Sequence, residues 1–189
     1  MISRLTWMIG VLPLVWLVAR FLVVGPGVNP VETVMRFCGD WSLWWLLATL
    51  AVTPARRLPG CGGMIRWRRA FGLSAFFYAV LHLAVYAVLD HGLAWAPIWK
   101  DLMKRPYITL GFVAWVLLVP LAITSTRGWM IRLGRYWSRL HRLIYPASLL
   151  AVAHHYWMVK ADTRLPLVHA AILALLLGWR LVARVRASA

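Results

Sequence analysis

The stretch Arg139–Trp157 reads RLHRLIYPASLLAVAHHYW, and it is apolar enough to lie in a membrane although it carries three histidines. Ionisable side chains inside a bilayer are costly, and those that occur there usually line a functional path. The stretch is also about as long as a helix must be to cross the hydrocarbon core, which takes about 20 residues. We therefore expect a membrane helix whose imidazoles have a function.

The rest of the chain has the same apolar character. Hydrophobic residues make up 62% of the 189 residues, and the mean hydropathy is +0.73, which is far above that of a soluble domain. Six apolar runs recur, of which the second is short and is expected to extend back towards Phe37. The runs are Leu5–Val24, Trp41–Val52, Ala70–Leu89, Tyr107–Thr124, Leu140–Val159 and Leu165–Ala183. The pattern predicts an all-α integral membrane protein, with one domain over residues 1–189 built as a bundle of six transmembrane helices.

The net charge of +16 could indicate nucleic-acid binding, but its distribution favours a topology signal. If the N-terminus is cytoplasmic, most of the 21 Lys and Arg residues, beginning with Arg4, fall on the inner side and all five acids on the outer side. The positive-inside rule then places both termini in the cytoplasm. We expect contact with anionic lipid head groups and no nucleic-acid partner.

His82 and His154 fall at matching depth in two predicted helices that run in the same direction. With a rise of about 1.5 Å per residue, they lie about 10 Å and about 8 Å below the outer ends of their helices. Neutral imidazole is a good ligand for iron, and a histidine pair on facing helices can hold a b-type haem. The spacing therefore predicts a haem site, and the alternative is that each histidine only hydrogen-bonds a neighbouring helix.

His141 lies about 20 Å from His154 along the predicted helix, a separation that suits two haems stacked across the membrane. Its partner is in question, because Arg68 stands 14 residues before His82, and a guanidinium is a poor iron ligand. Arg68 could instead pair with a haem propionate or a phosphate. On an ideal helix His141 and His154 point about 140° apart, and a kink at Pro146 could change that angle. The second site stays open.

The remaining histidines and the cysteines carry weaker signals. His155 points about 100° away from His154 and is predicted to be a packing or interface residue. His169 lies at nearly the same depth as His154 and remains an alternative partner for His82. The only cysteines, Cys38 and Cys61, fall on opposite sides of the membrane and cannot pair, and the lack of a Cys-x-x-Cys-His motif argues against covalently bound c-type haem.

Three segments resemble those of the MsrQ (YedZ) family, which are haem-binding membrane subunits within the ferric reductase-like transmembrane superfamily. The segments are RRAFGLSAFFYAVLHLAVY, DLMKRPYITLG and LAITSTRGWMIRLGRYWSRLHRLIY with its downstream HHYW. The resemblance extends from Leu12 to about Arg180 and implies a ferric reductase-like haem-binding domain.

The resemblance also implies a set of site residues. It makes His82, His141 and His154 the haem ligands, and it places Arg68 where related oxidases carry a fourth histidine. His155 is an extra histidine beside the motif position, so that a change of ligand from His154 to His155 stays open.

The resemblance implies an electron conduit in the bacterial inner membrane, with one or two b-type haems per chain. Such a protein takes electrons from the quinone pool or a separate cytoplasmic flavin reductase. It passes them to a periplasmic, molybdopterin-containing methionine sulfoxide reductase subunit, which repairs oxidised envelope proteins. FMN is also a cofactor of the family, although no segment of this chain marks a flavin site. The donor is expected to be a separate molecule, because the chain carries no Gly-x-Gly-x-x-Gly or Walker motif.

Other functions remain open at this stage. The outer loop Asp90–Arg105 is expected to form part of a docking surface, on which Lys100, Lys104 and Arg105 steer an acidic partner, or else these charges stay hydrated beside lipid head groups. The chain could be a stand-alone quinol-linked cytochrome b or ferric reductase. It could also be a haem-free assembly factor or small permease, but transport is disfavoured because no charged residue is predicted in a helix centre and no internal repeat is visible.

Overall fold

The computed structural model describes the backbone of residues 4–188 and the side chains of residues 8–186. The predicted domain bounds at residues 1 and 189 and the side chain of Arg4 lie outside these described residues. Nine α-helices form within them: α1 (Arg4–Val24), α2 (Pro30–Ala55), α3 (Arg68–Ala84), α4 (Trp95–Lys104), α5 (Pro106–Ile123), α6 (Arg127–Leu133), α7 (Arg135–Leu140), α8 (Ile144–Met158) and α9 (Arg164–Ser188). Short 3₁₀ segments cover Gly62–Trp67 and His141–Leu143, and a π-helical segment, Val85–Asp90, continues α3.

The helices confirm the all-α class, and the described residues contain no strand. The starts and ends of α1 and α5 agree with the predicted apolar runs to within one residue. By length and composition three stretches can cross a membrane: Gly62–Asp90, Pro106–Ile123 and Arg164–Arg186. A shorter apolar helix covers Met8–Val24. The six-helix count and the cytoplasmic termini remain predictions.

Helix α2 begins at Pro30, which is 11 residues before the apolar run at Trp41 and seven before Phe37, so the predicted extension has the right direction but is too short. Asn29 caps the helix by accepting a hydrogen bond from the Glu32 amide at 3.1 Å, and its side-chain amide donates to the Glu32 carboxylate at 3.0 Å. Pro30 takes the first helical position, where its missing N–H costs nothing. Hydropathy misses this start because capping chemistry, not apolar character, fixes it.

The predicted fifth segment, Leu140–Val159, is not one continuous helix. Helix α7 ends at Leu140, a 3₁₀ turn covers His141–Leu143, and α8 starts at Ile144. Pro146 lies in the first turn of α8, where backbone N–H groups have no partner within the helix. The change in direction therefore lies before Pro146, and it alters the angle between His141 and His154 that an ideal helix would give.

Helices α2, α3, α5 and α8 form a four-helix core. Helix α2 packs along α3 and α5 along α8, and the two pairs meet because α3 also contacts α5 and α2 contacts α8. Small residues allow the close approach, as where the Ser42 hydroxyl donates to the Ala75 carbonyl at 3.0 Å. The buried Tyr78 hydroxyl donates to the Gly10 carbonyl at 3.0 Å and so fixes α1 against α3.

The cap of α2 gives a first prediction. Asn29→Ala removes both hydrogen bonds to Glu32 and should cost about 1 kcal/mol of helix-end stability, or about a fivefold faster amide exchange in the first turn of α2. Hydrogen–deuterium exchange of residues 31–34 in detergent measures this effect. Val28→Ala is the matched control, because Val28 is fully exposed beside the cap and should change nothing. Equal exchange in the two variants would contradict the capping role.

Candidate functional site

His82 from α3 and His154 from α8 meet at the centre of the four-helix core. Their ring centroids lie 6.2 Å apart and the ring planes are nearly perpendicular, at 78°. Both side chains are partly buried. The structure therefore brings together the two histidines that were placed at equal depth.

Each of these imidazoles is oriented by a backbone carbonyl of the helix against which its own helix packs. His82 Nδ1 lies 2.8 Å from the Met35 carbonyl on α2, and His154 Nδ1 lies 2.6 Å from the Tyr107 carbonyl on α5. A carbonyl can only accept, so that Nδ1 carries the hydrogen in both neutral rings and Nε2 keeps its lone pair. Metal-bound histidines commonly show this arrangement, in which one nitrogen donates to the protein and the other binds the ion.

Two glycines make room for the rings. A Cβ at Gly39 would lie 3.1 Å from His82 Nδ1, and a Cβ at Gly111 would lie 2.9 Å from His154 Nδ1. Both glycines lie inside helices, and neither has the positive φ that would explain a glycine by backbone conformation. Close approach of an imidazole to the helix backbone is therefore the reason for glycine at both places.

The two halves of the site are built in the same way. Each histidine bonds a carbonyl 47 residues earlier in the chain, and each packs on the glycine one helical turn after that carbonyl. The α2–α3 pair and the α5–α8 pair thus repeat one design, although the sequence showed no internal repeat. The missed signal was a glycine 43 residues before each histidine, as at Gly39 and Gly111.

The ring separation fits a metal bound between the two imidazoles. Two imidazole–metal bonds of about 2.0 Å each, together with the distances from the nitrogens to their ring centres, come to about 6 Å. Both Nε2 atoms are available in the tautomer that the carbonyls impose. The residues present therefore fit an iron that His82 and His154 would hold through their Nε2 atoms, as histidine holds haem iron in other proteins.

His141 lies apart from this pair, in the 3₁₀ turn before α8. Its ring stacks on Trp137 with centroids 3.9 Å apart, and Nδ1 lies 3.1 Å from the Trp137 carbonyl. Nε2 is buried without a hydrogen bond of good geometry, and the Leu121 backbone lies close to the ring. Arg68 lies within electrostatic reach of His141. The surroundings of His141 thus resemble those of the first pair, but no second histidine faces it within the described residues.

Arg68 belongs to a group of cations at this end of the bundle. Arg56 and Arg180 lie within electrostatic reach of it. Arg180 donates to the Tyr145 hydroxyl at 2.6 Å and to the Leu50 carbonyl at 2.7 Å. Such a group is suited to an anion, for example a propionate or a phosphate.

His155 and His169 form a second histidine pair. Their ring centroids lie 5.3 Å apart, and His169, which is 0% exposed, also packs against Trp44 at 4.5 Å. Both His169 nitrogens and His155 Nε2 are buried without hydrogen bonds. His155 Nδ1 lies 3.4 Å from an Asp40 carboxylate oxygen. The structure thus places His154, and not His169, beside His82, and it gives His155 a polar contact in addition to its packing.

Asp40 lies well inside α2, because that helix starts at Pro30, and it follows Gly39 at the level of the His82 ring. At about 1.5 Å per residue it lies about 15 Å from the start of the helix. Its side chain is 30% exposed. An acid at such a depth points to a functional role.

Comparison with known proteins agrees with these features. A family model described as "Ferric reductase like transmembrane component" matches residues 38–152, which is more than half of the chain. A relative from Xanthomonas oryzae pv. oryzae (strain MAFF 311018) is 56% identical over 154 residues, covering 82% of this chain and 71% of the relative. A relative from Rhodospirillum rubrum is 54% identical over 176 residues, covering 93% and 85%. Both are named "Protein-methionine-sulfoxide reductase heme-binding subunit MsrQ".

The chain belongs to the MsrQ family. The predicted family resemblance is thereby confirmed, and with it the membrane character that the ferric reductase match and the apolar helices share. A further MsrQ relative, from Xanthomonas campestris pv. campestris (strain 8004), is 56% identical over 161 residues, covering 85% of the chain and 74% of the relative. The names of these relatives describe haem binding in them without assigning it to particular residues.

The glycines of the site give a prediction with an internal control. Gly→Ala inside a helix normally stabilises by about 0.5–1 kcal/mol, and this should hold at Gly178 on α9, where a Cβ meets nothing within 4 Å. At Gly39 and Gly111 the same change pushes an imidazole off its carbonyl and should lower the apparent Tm instead.

Thermal unfolding of the three variants in one detergent compares these effects. A rise in Tm for Gly111→Ala like that of Gly178→Ala would mean that the close approach of the His154 ring to α5 does not matter.

Proposed function

We propose that this chain transfers electrons across the bacterial inner membrane through b-type haem. The observation that supports this most directly is the His82–His154 pair, in which backbone carbonyls hold both Nδ1–H groups, leave the lone pair of each Nε2 free, and keep the ring centroids 6.2 Å apart. Haem bound there would supply a one-electron carrier inside an insulating lipid layer about 30 Å thick. The protein's own part is to fix the ring orientations and to enclose the site in apolar helices.

A second haem is proposed at His141, with Arg68 as an anion-binding partner and not as an iron ligand. The unpaired, buried Nε2 of His141 and the nearby guanidinium support this assignment. The two sites would lie in opposite halves of the bundle, which suits transfer between the two membrane faces. Each chain would hold one haem if His141 fails to bind iron and two if it succeeds.

The direction of transfer rests on the family and on charge distribution. We infer a six-span arrangement with both termini in the cytoplasm, because the positive-inside rule favours it. Electrons would come from the quinone pool or a separate cytoplasmic flavin reductase. They would pass to a periplasmic, molybdopterin-containing methionine sulfoxide reductase subunit, and so support repair of oxidised periplasmic proteins. FMN stays an expectation of the family alone, because no described residue marks a site for it.

Haem content tests the proposal. His82→Ala and His154→Ala should each lose most of the haem of the main site, because a single remaining axial imidazole holds it weakly. His169→Ala and His91→Ala should keep it, since neither ring faces the pair. Haem per chain is measured by the pyridine haemochromogen method on protein purified from cells supplied with a haem precursor.

The outcomes separate the alternatives. Near-zero haem in the unaltered protein would favour a haem-free assembly factor. Loss of haem in His169→Ala with retention in His154→Ala would mean that the ligand pair is wrong. A drop from two haems to one in His141→Ala would place iron at the second site.

Helix α4 is proposed as part of the docking surface for the periplasmic partner. Trp95 and Trp99 are strongly exposed on it, and Lys100 and Lys104 lie at its surface. Arg105 is different, because Asp101 holds it at 3.2 Å. The two lysines are therefore the charges best placed to meet an acidic patch.

The double variant Lys100→Glu/Lys104→Glu should slow association with the reductase subunit about tenfold at low salt, because it reverses the steering charge. The difference should shrink at high salt, where the charges are screened. Surface plasmon resonance at two salt concentrations measures both rates. Lys160→Glu is the control, since Lys160 is exposed on a different loop. Equal rates for both variants would exclude α4 from the docking surface.

A further inference from the structure

An aromatic cleft opens between α1 and α2 beside the histidine pair. It has a volume of about 370 Å³ and is lined by Trp16, Phe37, Asp40, Trp41 and Trp44. Trp16 stacks on Phe37 with ring centroids 5.8 Å apart, and Phe37 contacts Trp41 at 6.1 Å. The volume of the cleft lies within the range of small-molecule binding sites, about 300–1,000 Å³. The cleft therefore offers flat apolar walls and one carboxylate.

Asp40 contributes to the four-helix packing through a contact that joins α2 to α8. Within the described part of the chain no lysine or arginine lies within ion-pair distance of Asp40; Arg36, one turn earlier on α2, is within electrostatic reach of it but pairs with Glu32. Its recorded contact is His155 Nδ1 at 3.4 Å. The carboxylate is thus left with acceptor capacity that faces the cleft.

The position of Asp40 connects the cleft to the proposed haem site. Asp40 directly follows Gly39, on which the His82 ring packs, and its contact His155 directly follows His154. Consecutive Cα atoms lie about 3.8 Å apart, so the Asp40–His155 contact is one residue removed from the site on both helices. A molecule bound in the cleft would lie within short range of the pair and away from His141.

The chemistry of the walls selects the occupant. A phospholipid phosphate is negative and would be repelled by the carboxylate, whereas a bare acyl chain would leave the carboxylate without a partner. A metal ion is disfavoured, because the described residues hold no group of three or more His, Cys, Asp or Glu side chains suited to one. A hydroquinone with an apolar tail fits, since its flat ring suits the aromatic walls and its hydroxyl can donate to Asp40.

We propose that this cleft binds the head group of a membrane hydroquinone, with Asp40 accepting a hydrogen bond from one ring hydroxyl. The assignment rests on the proposed function, since it makes the cleft the entry point for electrons. One hydroquinone becomes a quinone by losing two electrons and two protons. A haem held by His82 and His154 would supply the one-electron acceptor, taking the two electrons one at a time, and the two protons would leave to water by way of the Asp40 carboxylate. His155 is a positioning residue that holds Asp40.

Binding is tested with 2-heptyl-4-hydroxyquinoline N-oxide, a hydroxylated aromatic with an alkyl tail that needs no electron transfer to bind. Its fluorescence is followed on addition of the purified, haem-loaded chain in phosphatidylcholine nanodiscs. Asp40→Asn should raise the Kd about tenfold or more, because a hydrogen bond to a charged group is worth at least that factor. Asp162→Asn is the matched control, since Asp162 is exposed and pairs with Arg164 beside α9.

A second pair of variants tests the cleft if Asp40→Asn fails to fold. Trp16→Ala removes one wall and should raise the Kd about fivefold or more, since an aromatic contact contributes roughly 1 kcal/mol. Leu12→Ala, one turn earlier on α1 and similarly exposed, should leave the Kd unchanged. Binding within twofold of the unaltered protein in both Asp40→Asn and Trp16→Ala would overturn the assignment.

Haem content measured on the same samples separates this proposal from the proposed function. If the chain contains no haem but binds the probe in a way that depends on Asp40, the binding site in the cleft is supported and the electron-transfer role is not. Full haem content, together with probe binding that does not change in Asp40→Asn and Trp16→Ala, would support the electron-transfer role and overturn the assignment of the cleft. Reduction of the haem by decylubiquinol should also slow about tenfold in Asp40→Asn, while reduction by dithionite should not change.

Discussion

A buried ring nitrogen without a hydrogen-bond partner is costly, and at the centre of the protein two imidazoles meet this cost through backbone carbonyls. His82 and His154 place Nδ1 on the carbonyls of Met35 and Tyr107, and their ring centroids lie 6.2 Å apart. The carbonyl is reachable only because a glycine lets the ring lie against the helix. The close pairing of α2 with α3, and of α5 with α8, serves this geometry as much as it serves apolar burial.

Most of what the sequence predicted correctly follows from two simple regularities. Helical rise placed His82 and His154 at equal depth, and apolar length gave the bounds of α1 and α5. Neither regularity could place the start of α2, which is fixed by hydrogen bonds between Asn29 and Glu32. The break before α8 was missed for the same reason, since a 3₁₀ turn of three residues leaves no trace in hydropathy.

The supporting residues of the site were harder to predict than its histidines. A glycine in a membrane helix is a weak signal, because glycine is common in such helices. The role of Gly39 and Gly111 can be recognised only when the helices that pack against them are known. The pairing of His155 with His169 likewise depends on how α8 and α9 lie together. Sequence reasoning could find groups that need a partner, and only the packing of the helices shows which partner each group has.

The repetition of one design in two helix pairs bears on how the protein assembles. The contacts that orient each imidazole are internal to its own pair, so that α2 with α3 and α5 with α8 can each form as a local unit after insertion. When the two units associate, they bring together two histidines whose side-chain orientations are already fixed. Little further conformational entropy is then lost at the site. A cofactor bound by both histidines would hold the α2–α3 pair and the α5–α8 pair together. Its release would weaken the contact between the two pairs before it disturbs the packing within either pair.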